Sequence, residues 1–138
     1  MPVQVPDPEA AAGAYEALLR RGFWEQEPAF DLVLLGLGSD GHTASVFPSS
    51  PALEERTRLV LAVEGPNPPR HRLTLTPRAL SQAADVLFLV PGSEKAAAVR
   101  GSLEERSRPA RWPAQAIVPP HGRVTWWLDR AAAAALAY

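Results

Sequence analysis

The tightest constraint in this chain is a short apolar run that ends in glycines. Phe30-Asp31-Leu32-Val33-Leu34-Leu35 passes directly into Gly36-Leu37-Gly38-Ser39-Asp40-Gly41-His42-Thr43-Ala44-Ser45. A near-continuous apolar run of this length, stopped by glycine, reads as a strand buried on both faces, the habit of strands in parallel sheets. Parallel neighbours cannot be joined by a tight turn; they need crossovers, usually helical. The rest of the chain has to supply both.

It does so in order. Asp7 can cap a first helix, with Pro8 at its first position, Glu9 in its first turn and a stop at Gly22 after Arg20-Arg21. Ala11, Ala14, Tyr15, Leu18 and Leu19 give that helix an apolar stripe at helical spacing. Residues 59–63 read as a short strand, and residues 72–76 alternate polar and apolar as a second one does. Pro77 opens a short helix reaching residue 84, and residues 86–90 form another buried strand. Ser93 is placed to cap a helix over residues 94–101, with Lys95 in its first turn. Residues 102–113, charged and holding Trp112, read as surface loop or frayed helix. Residues 116–118 and 124–127 read as late strands, with Trp126 and Trp127 on opposite faces, one core and one surface. Asp129 then caps a terminal Ala-rich helix. No linker or repeat interrupts residues 1–138, so the expectation is one α/β domain: a doubly wound, mainly parallel sheet with flanking helices, Rossmann-like.

In such sheets ligands bind beyond the carboxyl ends of the strands, which is where the 36–45 loop falls. Gly38 and Gly41 allow close backbone approach, and successive N–H groups in such a loop can face an anion or a developing oxyanion. His42 carries an imidazole, which exchanges protons near neutral pH and suits a general base. Asp40 either orients His42 or meets the substrate itself. The stretch is no dinucleotide fingerprint, since the strand and ribose-binding acid do not follow, and it lacks the Gly-Lys-Ser/Thr ending of a P-loop. Lys95 lies after the next buried strand, so both loops open on one sheet edge; a cation at a helix start hints at an anionic ligand such as phosphate. Arg72 is either a phosphate contact or a solvated strand entry. His71 and His121 follow no ligand spacing, so no metal site is expected.

Composition narrows the class. The 14 Lys+Arg against 15 Asp+Glu give a net charge of −1, which offers no electrostatic footprint for nucleic acid. Zero cysteines remove disulfides, thiolate zinc sites and thiol nucleophiles. No apolar run approaches the ~20 residues of a membrane span. Met1-Pro2-Val3-Gln4 has neither the basic nor the apolar region of a signal peptide, so a cytoplasmic protein is expected. Among the 14 basic residues the only lysine is Lys95.

Residues 34–48, Leu34-Leu35-Gly36-Leu37-Gly38-Ser39-Asp40-Gly41-His42-Thr43-Ala44-Ser45-Val46-Phe47-Pro48, closely resemble the signature of 6-phosphogluconolactonases. So do Arg72-Leu73-Thr74-Leu75-Thr76, Val90-Pro91-Gly92-Ser93-Glu94-Lys95-Ala96 and Val124-Thr125-Trp126-Trp127-Leu128-Asp129. The resemblance implies hydrolysis of 6-phospho-D-glucono-1,5-lactone to 6-phosphogluconate in the oxidative pentose phosphate pathway, with no metal or organic cofactor. It makes His42 the base that activates water, puts Lys95 where the family's phosphate-contacting lysine falls, and matches Arg72 to the family's Arg before its Thr-Leu-Thr strand.

The resemblance covers only the C-terminal part of the longer family members. Their Gly-Gly-Ser/Thr phosphate loop and Asp-Glu-Arg segment have no counterpart here, so the expectation is a domain truncated at its N-terminus, with impaired activity and an exposed sheet edge open to self-association. Two rivals stand beside the lactonase. Glucosamine-6-phosphate deaminases share the Asp-Gly-His turn but follow it with an Asn-Glu-Pro segment, where this chain has Ser45-Val46-Phe47-Pro48 and no acid before Glu54. A non-catalytic sugar-phosphate-binding or assembly module is the other.

Overall fold

The computed structural model describes residues 7–23 and 30–137. Met1–Gln4, read above for the absence of a signal peptide, lie outside the described residues. Helix α1 (Pro8–Gly22) is capped as expected, Asp7 Oδ1 accepting from the Glu9 and Ala10 N–H groups at 3.0 and 3.1 Å. The stripe read from spacing is buried only in part: Leu19 is buried with Tyr15 packed beside it, whereas Ala14 and Leu18 face out and Ala12, outside the stripe, is buried. Glu16 sets the rotation. Its Oε2 accepts from the N–H groups of Leu59 and Val60, at 3.1 and 3.4 Å, so the helix turns to bring a carboxylate to a strand start. Burial raises the Glu16 carboxyl, but hydrogen bonds from Arg20, Leu59 and Val60 outweigh it and hold the group below its ordinary value.

β1 (Phe30–Leu35), β4 (Ala83–Val90) and β5 (Arg123–Leu128) form a parallel sheet in the order β1-β4-β5, with β4 central. β2 (Val60–Glu64) and β3 (His71–Leu75) make a separate antiparallel ribbon under α1. Residues 65–70 between them are far too few for a crossover, so the pair closes as a hairpin. α2 (Pro77–Leu80) is shorter than expected, and α3 (Ala96–Leu103) covers the sheet.

One face of the parallel sheet is the core. Leu35, Val86, Phe88 and Val90 point into it with Ala98 and Val99 of α3, and Trp126 stacks on Phe88 at 4.0 Å between ring centroids. The other face is bare: Leu34 is 58% exposed and Trp127 64%, with Leu32 and Leu89 exposed beside them. Trp126 and Trp127 divide as expected. β1 does not, because it is an edge strand of a sheet covered on one side only. Its apolar run is legible; its covering is not.

Three late elements also differ. Residues 113–116 form a 3-10 turn rather than leading into a strand at 116–118, since Pro119 and Pro120 lack the N–H groups a ladder needs. Residues 130–136 form successive turns instead of an Ala-rich helix, held by i→i+3 bonds such as Ala134 N to Ala131 O at 3.3 Å. Trp112 is not surface: it is 7% exposed, in the core, its Nε1 donating to Glu105 Oε2 at 2.9 Å. No helix among the described residues is long and apolar enough to cross a membrane.

Candidate active site

The 36–45 loop leaves the carboxyl end of β1 and folds back on itself. The Gly41 N–H bonds to the Gly38 carbonyl at 2.9 Å, and the Gly38 N–H to the His42 carbonyl at 2.8 Å. Thr43 Oγ1 donates to the Gly36 carbonyl at 2.8 Å, and the Ser45 N–H to Thr74 Oγ1 at 3.1 Å, fastening the loop to β3. The N–H groups of Gly38 and Gly41 thus bond within the loop itself. What these residues contribute is space. A Cβ on Gly38 would overlap the His42 ring; at Gly41, where φ is +84°, it would lie 2.6 Å from Trp112 Cε3.

That economy of space presents a pair. Asp40 Oδ1 accepts from the His42 backbone N–H at 3.1 Å and meets His42 Nδ1 at 2.6 Å. Of the two sequence alternatives, orienting His42 is the one this contact serves. The carboxylate favours the proton on Nδ1, leaving Nε2 with a free lone pair. Burial raises the Asp40 carboxyl, but the hydrogen bonds from His42 outweigh that and pull it below its ordinary 3.8, keeping it ionised beside the imidazole. The His42 ring also lies 4.8 Å from the Phe47 ring, and its side chain remains 31% exposed. Ala44, next in the loop but one, has φ +50°, strained backbone at the site itself.

Arg72 stands behind Phe47, its guanidinium 5.5 Å from that ring centroid. Its Nε and Nη2 donate to the Pro69 and Asn67 carbonyls at 3.1 and 3.2 Å. So Arg72 is neither loose nor in contact with His42; one aromatic ring separates them.

Lys95 follows β4. Because Leu35 pairs with Phe88 in the parallel register, the loops after β1 and β4 open on the same sheet edge. Ser93 does not cap a helix. Ser93–Lys95 form a 3-10 turn with no side-chain cap bond, and Lys95 occupies the N-cap position of α3. Its ammonium has no hydrogen-bond or ion-pair partner among the described residues. The loop is tied instead by Asp129, whose Oδ2 accepts from the Gly92 N–H at 3.0 Å while Oδ1 accepts from Ala132 at 2.7 Å.

Sequence reasoning missed Trp112 and Arg111. Arg111 lies 4.9 Å over the Trp112 ring and helps line a cleft of about 460 Å³ beside Ser39 and Asp40. A lone Trp within a charged stretch carried no periodicity to reveal its burial. Among the described residues no group of three or more His, Cys, Asp or Glu comes together.

A three-stranded parallel sheet with a histidine oriented at the end of its edge strand β1 and a lysine on the adjacent loop defines an α/β protein with chemistry-bearing side chains gathered at one sheet end. Comparison with known proteins makes the class specific. The model of the glucosamine-6-phosphate isomerases/6-phosphogluconolactonase family matches residues 1–126, and the chain belongs to that family. It is 44% identical over 133 residues to a 6-phosphogluconolactonase of Mycobacterium tuberculosis, covering 94% of this chain and 53% of that one. With the human 6-phosphogluconolactonase the identity is 42% over 127 residues, covering 91% and 49%. The solved 6-phosphogluconolactonase of Trypanosoma cruzi superimposes with a TM-score of 0.81 at 35% identity, covering 99% of this chain and 55% of that one. The chain thus spans about half the length of the curated relatives it matches.

Proposed function

We propose that this chain carries the catalytic half of a 6-phosphogluconolactonase site, hydrolysing 6-phospho-D-glucono-1,5-lactone to 6-phosphogluconate. The observation that carries the reading is the 2.6 Å contact between Asp40 Oδ1 and His42 Nδ1 at the carboxyl end of β1. With Nδ1 engaged, His42 Nε2 takes a proton from water as the oxygen attacks the lactone carbonyl. Asp40 stabilises the imidazolium that forms, and the tetrahedral intermediate then collapses with cleavage of the ring C–O bond. The freed ring oxygen takes up a proton to become a hydroxyl, while the imidazolium gives its own up and neutral His42 is restored. Lys95 binds the 6-phosphate as an unpartnered cation at the same sheet edge, and Arg72 adds positive potential behind Phe47. Gly38 and Gly41 act by leaving room for the His42–Asp40 pair. No cofactor enters the chemistry, and a cytoplasmic setting accords with a sugar-phosphate substrate.

The absence of an acid between His42 and Glu54 supports the lactonase over the deaminase of the same family. A second reading is that the chain binds sugar phosphates without turning them over, Lys95 lying on the same sheet edge as the 36–45 loop. Lactone hydrolysis by the purified chain, set beside calorimetric titration with 6-phosphogluconate, separates the two. The lactonase reading expects turnover that His42→Ala abolishes while binding persists. Binding with no turnover selects the second reading.

A further inference from the structure

Two described residues other than glycine have positive φ, and they bracket one side chain. Ala44 at +50° precedes Phe47 and Ser49 at +57° follows it. Such backbone is costly for a residue with a Cβ and persists where the surrounding structure imposes it. The surroundings here are specific. The Val46 N–H closes on the Thr43 carbonyl at 2.9 Å, a tight turn that carries the chain back past His42. The Ser45 N–H is fastened to Thr74 Oγ1 and the Ser49 N–H to the Ala110 carbonyl at 2.8 Å, so both ends of the segment are pinned. What the two bends deliver is the buried Phe47 ring, set 4.8 Å from the His42 ring and tilted 44° to it.

Phe47 joins two other contacts on the imidazole. Asp40 Oδ1 meets Nδ1 at 2.6 Å, and the Gly38 backbone lies so near the Nδ1–Cε1 edge that a Cβ there would overlap it. One hydrogen bond fixes a point and not a plane, and the outer torsion of a histidine is broad. A ring packed away from Nδ1 stops the imidazole rocking about that point. Phe47 is itself fixed. The Arg72 guanidinium stands 5.5 Å over its ring centroid, within cation–π range, and is tied to the Pro69 and Asn67 carbonyls. We propose that Phe47 is a positioning residue for His42, its ring holding the imidazole in the plane where Nδ1 faces Asp40 and Nε2 is presented to the substrate. The assignment rests on the reading of His42 as the base.

The test is nuclear magnetic resonance of the full chain with isotopically labelled histidine nitrogens, read in mildly alkaline buffer for which imidazole nitrogen carries the proton. His71 and His121 are exposed and serve as free-ring references in the same spectrum. Wild-type His42 should show one form, with the proton on Nδ1, where the references mix both. Phe47→Leu keeps an apolar side chain but removes the ring, and should move His42 toward the reference pattern. Phe47→Tyr should keep the wild-type pattern. Val60→Ala, a lesion in the separate core under α1, should lower stability and leave His42 unchanged. Where the chain turns over lactone, Phe47→Leu should lower kcat by roughly tenfold or more with KM little changed. Circular dichroism checks that each variant folds. A folded Phe47→Leu with the wild-type His42 spectrum overturns the assignment, as does a wild-type His42 indistinguishable from the references. So does a Val60→Ala chain that loses the pattern equally, which would make the effect one of general stability, and so does a folded Phe47→Tyr that behaves as Phe47→Leu. An ordered His42 ring that Phe47→Leu releases, in a chain without lactone turnover, upholds the positioning and counts against the lactonase reading alone.

Discussion

Two loops open on the same end of the parallel sheet, and they are built differently. The loop after β1 closes through its own hydrogen bonds, from Gly38 to His42, Gly41 to Gly38 and Thr43 to Gly36, and Trp112 presses on it from below. The loop after β4 has no side-chain cap and depends on Asp129, brought from the end of β5. A base must be held to a fraction of an ångström in orientation, whereas a cation that grips a phosphate works as a flexible point charge. The construction of each loop matches the demand that the roles proposed for His42 and Lys95 would set.

The comparison breaks most readily at Gly41. Gly41→Val forces a branched side chain into the left-handed region and against Trp112, and should cost about 3 kcal/mol or more of stability by denaturant melts. An unchanged midpoint would show that the loop yields and that the pair is not held as tightly as described. Asp129→Ala is the matching lesion in the other loop. Losing its two hydrogen bonds should cost about 1–2 kcal/mol, weaken 6-phosphogluconate binding several-fold, and leave the His42 ring signals in place. A shift of those signals would mean that the two loops are coupled rather than separately tied.

A pH series sharpens the contrast. The Asp40 carboxyl is lowered in the folded chain, so it contributes stability that is full above its ordinary 3.8 and is lost as pH falls through the lowered value. Melting temperatures of the wild type should therefore fall more steeply below pH 4 than those of Asp40→Asn, whereas Lys95→Met should keep the wild-type slope. Parallel curves for Asp40→Asn would remove the ionised pair from the account. Glu55 adds a separate acid-labile contribution, its carboxyl lowered to about 2 by the N–H groups of Arg58 and Thr57. The smallest effect belongs to Ala44. Replacing it by glycine relieves a positive φ at an exposed position and should gain up to about 1 kcal/mol; a loss would show that the strain is illusory.

How far the sequence can be read depends on the range of the interactions involved. The Asp7 cap, β1 and the Asp40–His42 pair are legible because their partners lie within three residues or within one strand. The phase of α1 is not: Ala14 and Leu18 fit the spacing, but Glu16 reaches Leu59 and Val60, more than forty positions away, and turns the helix. Ser93 has the chemistry of a cap and Ala131–Ala135 the propensity of a helix, yet neither forms one. A 3-10 turn precedes α3, and the alanines run on as turns after Asp129.

By itself the sequence determined the α/β character, the strand that enters the glycine loop, and a histidine with a carboxylate two residues before it. Only the tertiary structure decided that Trp112 underlies Gly41, that Asp129 holds the lysine loop, and that one face of β1 lies bare. Local hydrogen bonds and periodicity are written in consecutive residues. Burial depends on what packs from elsewhere, and for the open face of this sheet no described residue does so.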